Sequence, residues 1–183
     1  MWTEAFIITP QPSVISQIQN WINREIKNWE IAGVENKNRK KEDKNPRQTN
    51  IAWLNSNKSI DTLIWGAVNK ANKRWRYQLN RLDGYQYAEY NQGDHYDWHR
   101  DIFDDIQPNG QRKISMTMFL NNDYEGGEFW YEEGSPLLKS RHRIVEPIVG
   151  SMVFFPSSTW HKVSPVTKGQ RKSLVTWVWG NVW

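Results

Sequence analysis

The chain has 183 residues, 24 Lys and Arg against 20 Asp and Glu, and no cysteine, which excludes disulfides and thiolate metal centres and fits a reducing compartment. Only 38% of it is hydrophobic, yet twelve Trp, seven Tyr and six Phe supply bulky burial at few positions, so aromatic strands are expected. No apolar run approaches the roughly 20 residues of a membrane-spanning helix, and Met1 to Pro10 lacks the basic-then-apolar order of a signal peptide, so a cytoplasmic protein without membrane attachment is expected. At this length a single domain over residues 1–183 is the simplest organisation.

In chain order, Pro12–Trp29 places Ile15, Ile18, Ile22, Ile26 and Trp29 at three- and four-residue spacings. That spacing predicts an amphipathic helix, with Ser13 a candidate cap. Lys37–Arg47 carries six positive and two negative residues, which accounts for the whole net charge of +4. Such a run is ordinarily a solvated loop; its other use is to contact phosphate or another anionic partner. Gln48–Leu54 reads as a strand, and Ser59–Leu79, with Leu63, Val68 and Trp75 at apolar positions, as a second helix. From Tyr85 the pattern changes to short strands: Tyr85–Asn91, Tyr96–Asp101, Lys113–Asn121, Gly127–Glu132, Ile144–Val149, Ser151–Phe155, Trp160–Val166 and Arg171–Trp179. Eight mainly antiparallel strands predict a sandwich or jelly roll, with the preceding helices packed on one sheet.

Four histidines are available for chemistry: His95, His99, His142 and His161. Two overlapping His-x-Asp pairs, His95/Asp97 and His99/Asp101, each put an imidazole and a carboxylate on one face of a strand. At about 3.3 Å per residue His95 and Asp101 lie about 20 Å apart on a straight strand, so only one pair can serve a given ion. His161 offers a third ligand, and two imidazoles with one carboxylate leave three adjacent positions of an octahedral ion open, as in non-haem Fe(II) oxygenases. A turn at Lys168-Gly169 folds the Arg171 strand back beside His161, where an arginine fork can receive a carboxylate. His142 has no partner at useful spacing and reads as a surface residue.

Three motifs then carry a resemblance. They are Tyr90-x-x-Gly93-x-x-Tyr96-x-x-His99-x-Asp101; Gly126-Gly127-Glu128-Phe129 after Phe119-Leu120-Asn121; and Gly150-Ser151-x-x-x-Phe155 with His161-x-Val163-x-x-Val166-x-x-Gly169-x-Arg171. Over residues 85–180 the chain resembles the Fe(II)/2-oxoglutarate-dependent dioxygenases, in the prolyl 4-hydroxylase-like branch of bacteria and their phages. The resemblance implies an α+β, mainly β fold: a double-stranded β-helix (jelly roll, cupin-like) core at 85–180, with helical support and the basic loop 37–47 within 1–80. In that family pattern the Tyr and Gly precede the metal histidine by nine and six residues, a count that lands on His99 from Tyr90 and Gly93.

By the same resemblance Fe(II) is held by His99, Asp101 and His161, and Arg171 binds the distal carboxylate of 2-oxoglutarate, with O2 as the other co-substrate and ascorbate a candidate further cofactor. His95 and Asp97 are left without a ligand role. Tyr90 resembles the tyrosine that contacts the co-substrate. Ser115, Thr117 and Phe119 share one inward face near it; some relatives have a second co-substrate tyrosine at Phe119, whose hydroxyl is missing here. Ser173, Val175 and Trp177 share the parity of Arg171, Trp177 matching a tryptophan that lines the iron pocket, while Lys172 points away. Trp98, Trp130 and Trp160 are candidates for stacking on a proline ring at the mouth. The activity implied is hydroxylation of a prolyl residue in a peptide or protein, with succinate and CO2 as co-products, in the cytoplasm of a bacterium or a phage-infected host. Alternatives are a hydroxylase of a free amino acid or other small molecule, a nucleic-acid demethylase that uses Lys37–Arg47 for contact, with Lys37–Arg47 otherwise a lid over the site, and a non-catalytic jelly-roll binding protein. The joint presence of the triad and Arg171 argues against the last.

Overall fold

The structure is a computed structural model that describes residues 5–27, 30–32, 46–105, 107–134, 137 and 141–181. The elements begin with β1 (Phe6–Ile8), α1 (Pro12–Glu25), β2 (Glu30–Ala32), β3 (Arg47–Leu54), α2 (Lys58–Asn72), β4 (Leu79–Leu82) and β5 (Tyr85–Tyr90). They continue with β6 (His95–His99), β7 (Gln111–Phe119), β8 (Glu125–Gly126), β9 (Phe129–Glu132), β10 (His142–Val145), β11 (Met152–Pro156), β12 (His161–Val163), β13 (Val166–Lys168) and β14 (Arg171–Gly180).

One sheet runs β1-β11-β7-β14-β5-β3-β6-β12-β9-β10, with β2 on β3 and β4 on β14. Its curl has a definite hinge. The first two residues of β3 pair with β6 (Arg47 with Tyr96, Gln48 with His95), while Asn50–Leu54 pair with β5. One strand therefore belongs to both halves, and the sheet folds over into the two faces of a jelly roll. The minor pair β13-β8 closes one end.

Two apolar layers result. Ile18, Trp21 and Ile22 of α1 and Ile60, Ile64 and Val68 of α2 pack on Leu54, Tyr85, Ile114, Met116, Leu174 and Val178, so the helices cover the outside of the major face as expected. A second cluster, including Tyr90, Phe119, Phe129, Phe155 and Val163, fills the space between the faces. At roughly 1.5–3 kcal/mol for each fully buried large apolar side chain, both layers contribute substantially to folding. Among the described residues no helix is long and apolar enough to cross a membrane.

Several local expectations change. Pro12 occupies the first turn of α1, so Gln11 caps it, without a side-chain bond, and Ser13 does not. Helix α1 ends at Glu25, and Trp29 lies outside the described residues, as does Lys37 to Asn45 of the basic run. Helix α2 begins on Asn57, whose side chain accepts from the Ser59 and Ile60 amides, and stops at Asn72, well short of Leu79. Asn72 captures the backbone of Tyr77 through Oδ1 and Nδ2, both at 2.9 Å, and Arg76 turns at φ 57°. The freed Leu79–Leu82 becomes a strand on β14. Pro165 separates the expected Trp160–Val166 strand into β12 and β13, and Gly126 and Gly127, at φ 69° and 60°, separate β8 from β9.

Candidate active site

His99 ends β6 and His161 begins β12, and the two residues are directly paired across the ladder. Asp101 is not on the strand, contrary to expectation: β6 stops at His99 and the chain bends. The amides of Asp101 and Ile102 both donate to the carbonyl of Ser157, at 2.9 and 3.1 Å, and this bend swings the carboxylate back toward the histidines. Its Oδ1 lies 3.7 Å from His99 Nε2 and its Oδ2 3.4 Å from His161 Nε2. One ligand atom from each of the three residues falls within a 4.8 Å cluster, which leaves out His95 and Asp97.

Hydrogen bonds select the ring tautomers. His99 Nδ1 donates to the Asp97 carbonyl at 2.7 Å, and His161 Nδ1 to that of Thr159 at 2.9 Å. Each Nε2 is then a lone-pair donor aimed at the cluster, which is how metal-bound imidazoles are ordinarily oriented. Burial, reinforced by the neighbouring His161, pushes the His99 imidazolium down to about 3, so the ring is neutral near pH 7. Tyr96 stacks on His99 at 3.5 Å between ring centroids and Arg47 lies over Tyr96 at 4.7 Å, a three-layer pile that holds the imidazole plane.

Asp101 has its own support. Ser115 Oγ donates to Oδ2 at 2.6 Å and sits 3.0 Å from Ser157 Oγ. Burial alone raises the Asp101 carboxyl, yet the His161 and His99 imidazoles, the Ser115 hydroxyl and the nearby Trp177 indole outweigh it and hold the carboxyl below its ordinary value. The Trp177 N–H approaches without reaching hydrogen-bond geometry. The set is thus two imidazole nitrogens and one ionised carboxylate, a donor chemistry that fits a divalent iron. Ser115, expected near the co-substrate, instead fixes this carboxylate.

Arg171 faces the same cavity of about 240 Å³ as the cluster, together with Tyr90, Thr117, Ser173, Val175 and Trp177. The inward parity of β14 is therefore as expected, and Lys172 turns outward to Glu89 at 4.0 Å. Arg171 is 1% exposed, donates to Ser173 Oγ at 3.0 Å, and lies over the rings of Tyr90 (5.2 Å) and Phe119 (5.5 Å). Its Nε has no partner among the described residues, and none of their carboxylates pairs with it. A buried guanidinium left in that condition is costly unless an anion completes it, so the pocket fits a carboxylate such as the distal one of 2-oxoglutarate.

Other expectations are corrected. Trp98, Trp130 and Trp160 do not line the cavity. Trp98 and Trp130 flank Lys162, whose Nζ is 5.1 Å from each ring, on the outer face of the minor half, while Arg100 covers Trp160 at 5.2 Å. The tryptophans of the cavity are instead Trp53 and Trp177, 6.1 Å apart. His142 is exposed as expected but has a partner, Glu132 Oε1 at 3.4 Å on the adjacent strand. His95 lies beside the Gly93 carbonyl, and Asp97 contributes through its backbone, holding His99.

Sequence reasoning missed Gln86, Trp53, Arg112 and Tyr124, and named Arg47 only as the last residue of the basic run. Arg47, Gln86, Trp53 and Arg112 line the cavity, and Arg47 donates to Gln86 at 2.7 Å. Arg112 is off the Ser115–Thr117–Phe119 parity, and a bulge explains it. Ile114 pairs with Val178 but Arg112 with Trp179, so Lys113 is an extra residue that reverses the alternation. Arg112 then stacks on Trp177 at 3.9 Å while Asp83 holds it at 3.0 Å. Tyr124 carries a signal in sequence only through its place just before Gly126-Gly127.

A curled jelly roll whose two faces enclose a His-Asp-His cluster opposite a buried arginine defines a class of non-haem metal oxygenase folds. The chain belongs to the 2OG-Fe(II) oxygenase superfamily, whose family model matches residues 85–179. It is 28% identical over 160 residues to a PKHD-type hydroxylase of Synechococcus sp. (strain CC9902), covering 86% of this chain and 65% of that protein. The chain spans less than two thirds of the length of the curated relatives it matches first. In fold it is similar to a Pseudomonas putida prolyl-4-hydroxylase, with a TM-score of 0.70, 18% identity, and coverage of 98% of this chain and 94% of that one. It is also similar to a Trichoplax adhaerens prolyl hydroxylase solved with a hypoxia inducible factor peptide, at TM-score 0.66, 18% identity, and coverage of 96% and 83%.

Proposed function

We propose that this protein is an Fe(II)- and 2-oxoglutarate-dependent hydroxylase of a prolyl residue in a peptide or protein. The observation that carries the reading is the enclosure of His99, Asp101 and His161 with Arg171 in one cavity. His99, Asp101 and His161 would hold the iron, which supplies activation of O2 coupled to oxidation of 2-oxoglutarate to succinate and CO2, one oxygen atom going to the substrate C–H and one to succinate. Arg171 would anchor the distal carboxylate, and Thr117 and Ser173 add hydroxyls to the same cavity. Phe129, Phe155, Val163 and Val175 make the remaining wall apolar and keep water from the reacting carbon.

A prolyl substrate is supported by Trp53 and Trp177, whose faces can receive a pyrrolidine ring, and by the prolyl hydroxylases among the proteins of similar fold. A peptide, rather than a free imino acid, is supported by the mouth, where Trp53 is 49% exposed and Arg47, Gln86 and Arg112 offer donors to backbone carbonyls. The test is succinate formation by the Fe(II)-loaded protein under O2, with proline-rich peptides, free amino acids and methylated oligonucleotides as parallel substrates and mass detection of an added oxygen. Peptide-stimulated succinate that is lost in His161→Ala supports the reading. Stimulation by oligonucleotide or free amino acid alone overturns the prolyl assignment, and iron-independent or absent turnover overturns the enzyme.

A further inference from the structure

Two buried polar groups in the space around Arg171 have no partner among the described residues: Arg171 Nε itself and the Tyr124 hydroxyl. Tyr124 comes from the connection between β7 and β8; its ring lies against Gly127 and its Cα and Cβ against Gly169. A Cβ on Gly127 would meet Arg171 Cδ at 3.1 Å and Tyr124 Cε2 at 3.3 Å, and one on Gly169 would meet Tyr124 Cβ at 3.4 Å. Both glycines have positive φ, 60° and 75°, so the turns and the absence of side chains together let the phenol approach the guanidinium. Burial raises the Tyr124 phenol above its ordinary value, against the opposing pull of Arg171, so it remains a protonated donor. Ser173 Oγ accepts from one end of the guanidinium, while Arg171 Nε and the Tyr124 hydroxyl beside it are left as an N–H and an O–H without an acceptor among the described residues. Two orphaned donors side by side, one of them charged, are what a carboxylate resolves.

Phe119 bears on the same point. It packs under Arg171 at 5.5 Å and offers no hydroxyl where some relatives place one. We propose that Tyr124 is a co-substrate-binding residue whose hydroxyl donates to the distal carboxylate of 2-oxoglutarate alongside Arg171, replacing from the β7–β8 connection the hydroxyl that Phe119 lacks. The proposal rests on the 2-oxoglutarate reading above and adds a residue and a contact to it.

The test is calorimetric titration of the anaerobic Fe(II)-loaded protein with 2-oxoglutarate and with 2-oxobutyrate, which keeps the keto-acid end and lacks the distal carboxylate. Tyr124→Phe keeps the ring against Gly127 and removes only the hydroxyl. It weakens 2-oxoglutarate by about tenfold to a hundredfold, the worth of a hydrogen bond to a charged group, and leaves 2-oxobutyrate within about twofold. Unchanged 2-oxoglutarate affinity, or equal weakening of both acids, overturns the proposal, the second result showing a structural role. A wild-type protein that binds no 2-oxoglutarate overturns the underlying reading and this inference with it, whereas wild-type binding with an indifferent Tyr124→Phe overturns this inference alone.

Discussion

Replacing Ser115 with alanine tests whether the carboxylate of the cluster is positioned from β7. Ser115 is fully buried, and its hydroxyl donates to Asp101 Oδ2 at 2.6 Å, within the short range of charge-assisted O–H···O⁻ bonds. Such a bond is worth about 1.5–3 kcal/mol. Removal of groups that orient a metal ligand ordinarily costs about 10–100-fold in metal affinity, which is about 1.4–2.8 kcal/mol, so the two routes agree. The upper part of the range is expected here, because the deleted hydroxyl also leaves Ser157 Oγ, 3.0 Å away, without that partner. The assay is anaerobic Fe(II) titration followed by tryptophan fluorescence, with Co(II) as an absorbing surrogate. Urea unfolding of the metal-free protein separates a general loss of fold, and Ser157→Ala, which keeps the direct bond to Asp101, should weaken iron less than Ser115→Ala. An affinity within about twofold of wild type for Ser115→Ala, in a folded protein, would refute the argument that this hydroxyl holds the ligand.

Two further outcomes follow from the same geometry. Asp101→Ala removes most Fe(II) affinity while Asp97→Ala leaves it nearly intact, since Asp97 supports His99 through its backbone carbonyl alone; equal losses in the same titration would refute the assignment. Asp83 accepts from Trp179 Nε1 at 3.0 Å and from Arg112 at 3.0 and 3.3 Å, and although burial alone raises its carboxyl, these partners hold it below the ordinary value. Its folded form therefore binds fewer protons than the unfolded chain, so its contribution is full above about pH 4 and is lost as pH falls through the depressed folded value. Because Asp83 is about a third exposed, that contribution is small, under about 1 kcal/mol, and Asp83→Asn should shrink the acid-side loss of thermal stability by that amount. An identical gap between variant and wild type at about pH 3 and pH 7 would contradict it.

Reach along the chain explains which parts of the site were legible. The spacing of Tyr90 and Gly93 from His99, and the parity of Arg171, Ser173, Val175 and Trp177, are properties of single strands, and a strand with regular alternation carries them faithfully. Parity failed where the alternation itself is broken. The bulge at Lys113 turns Arg112 inward, and the bend after His99 delivers Asp101 by backbone bonds to Ser157 rather than by strand geometry. Trp98 and Trp130 were misplaced because an aromatic side chain on an alternating strand fits either face until a second layer covers one of them. Here the covered face belongs to Phe129 and Val163, and the outer face keeps Lys162 between two indoles.

The amino-acid sequence by itself determined the family, the mainly antiparallel architecture, and the identity of four residues that could carry the chemistry, because those depend on local spacing and on residue types with few substitutes. The tertiary structure alone decided what stands around them. It brought Ser115 to Asp101, piled Arg47 and Tyr96 on His99, and set Tyr124 against Arg171. Apart from Tyr96 on His99, three residues apart on β6, each of these contacts joins residues 14 to 49 positions apart in the chain, brought together by the curl that β3 makes in pairing with both β5 and β6, by the bend after His99, or by the glycine turns that let one strand approach another.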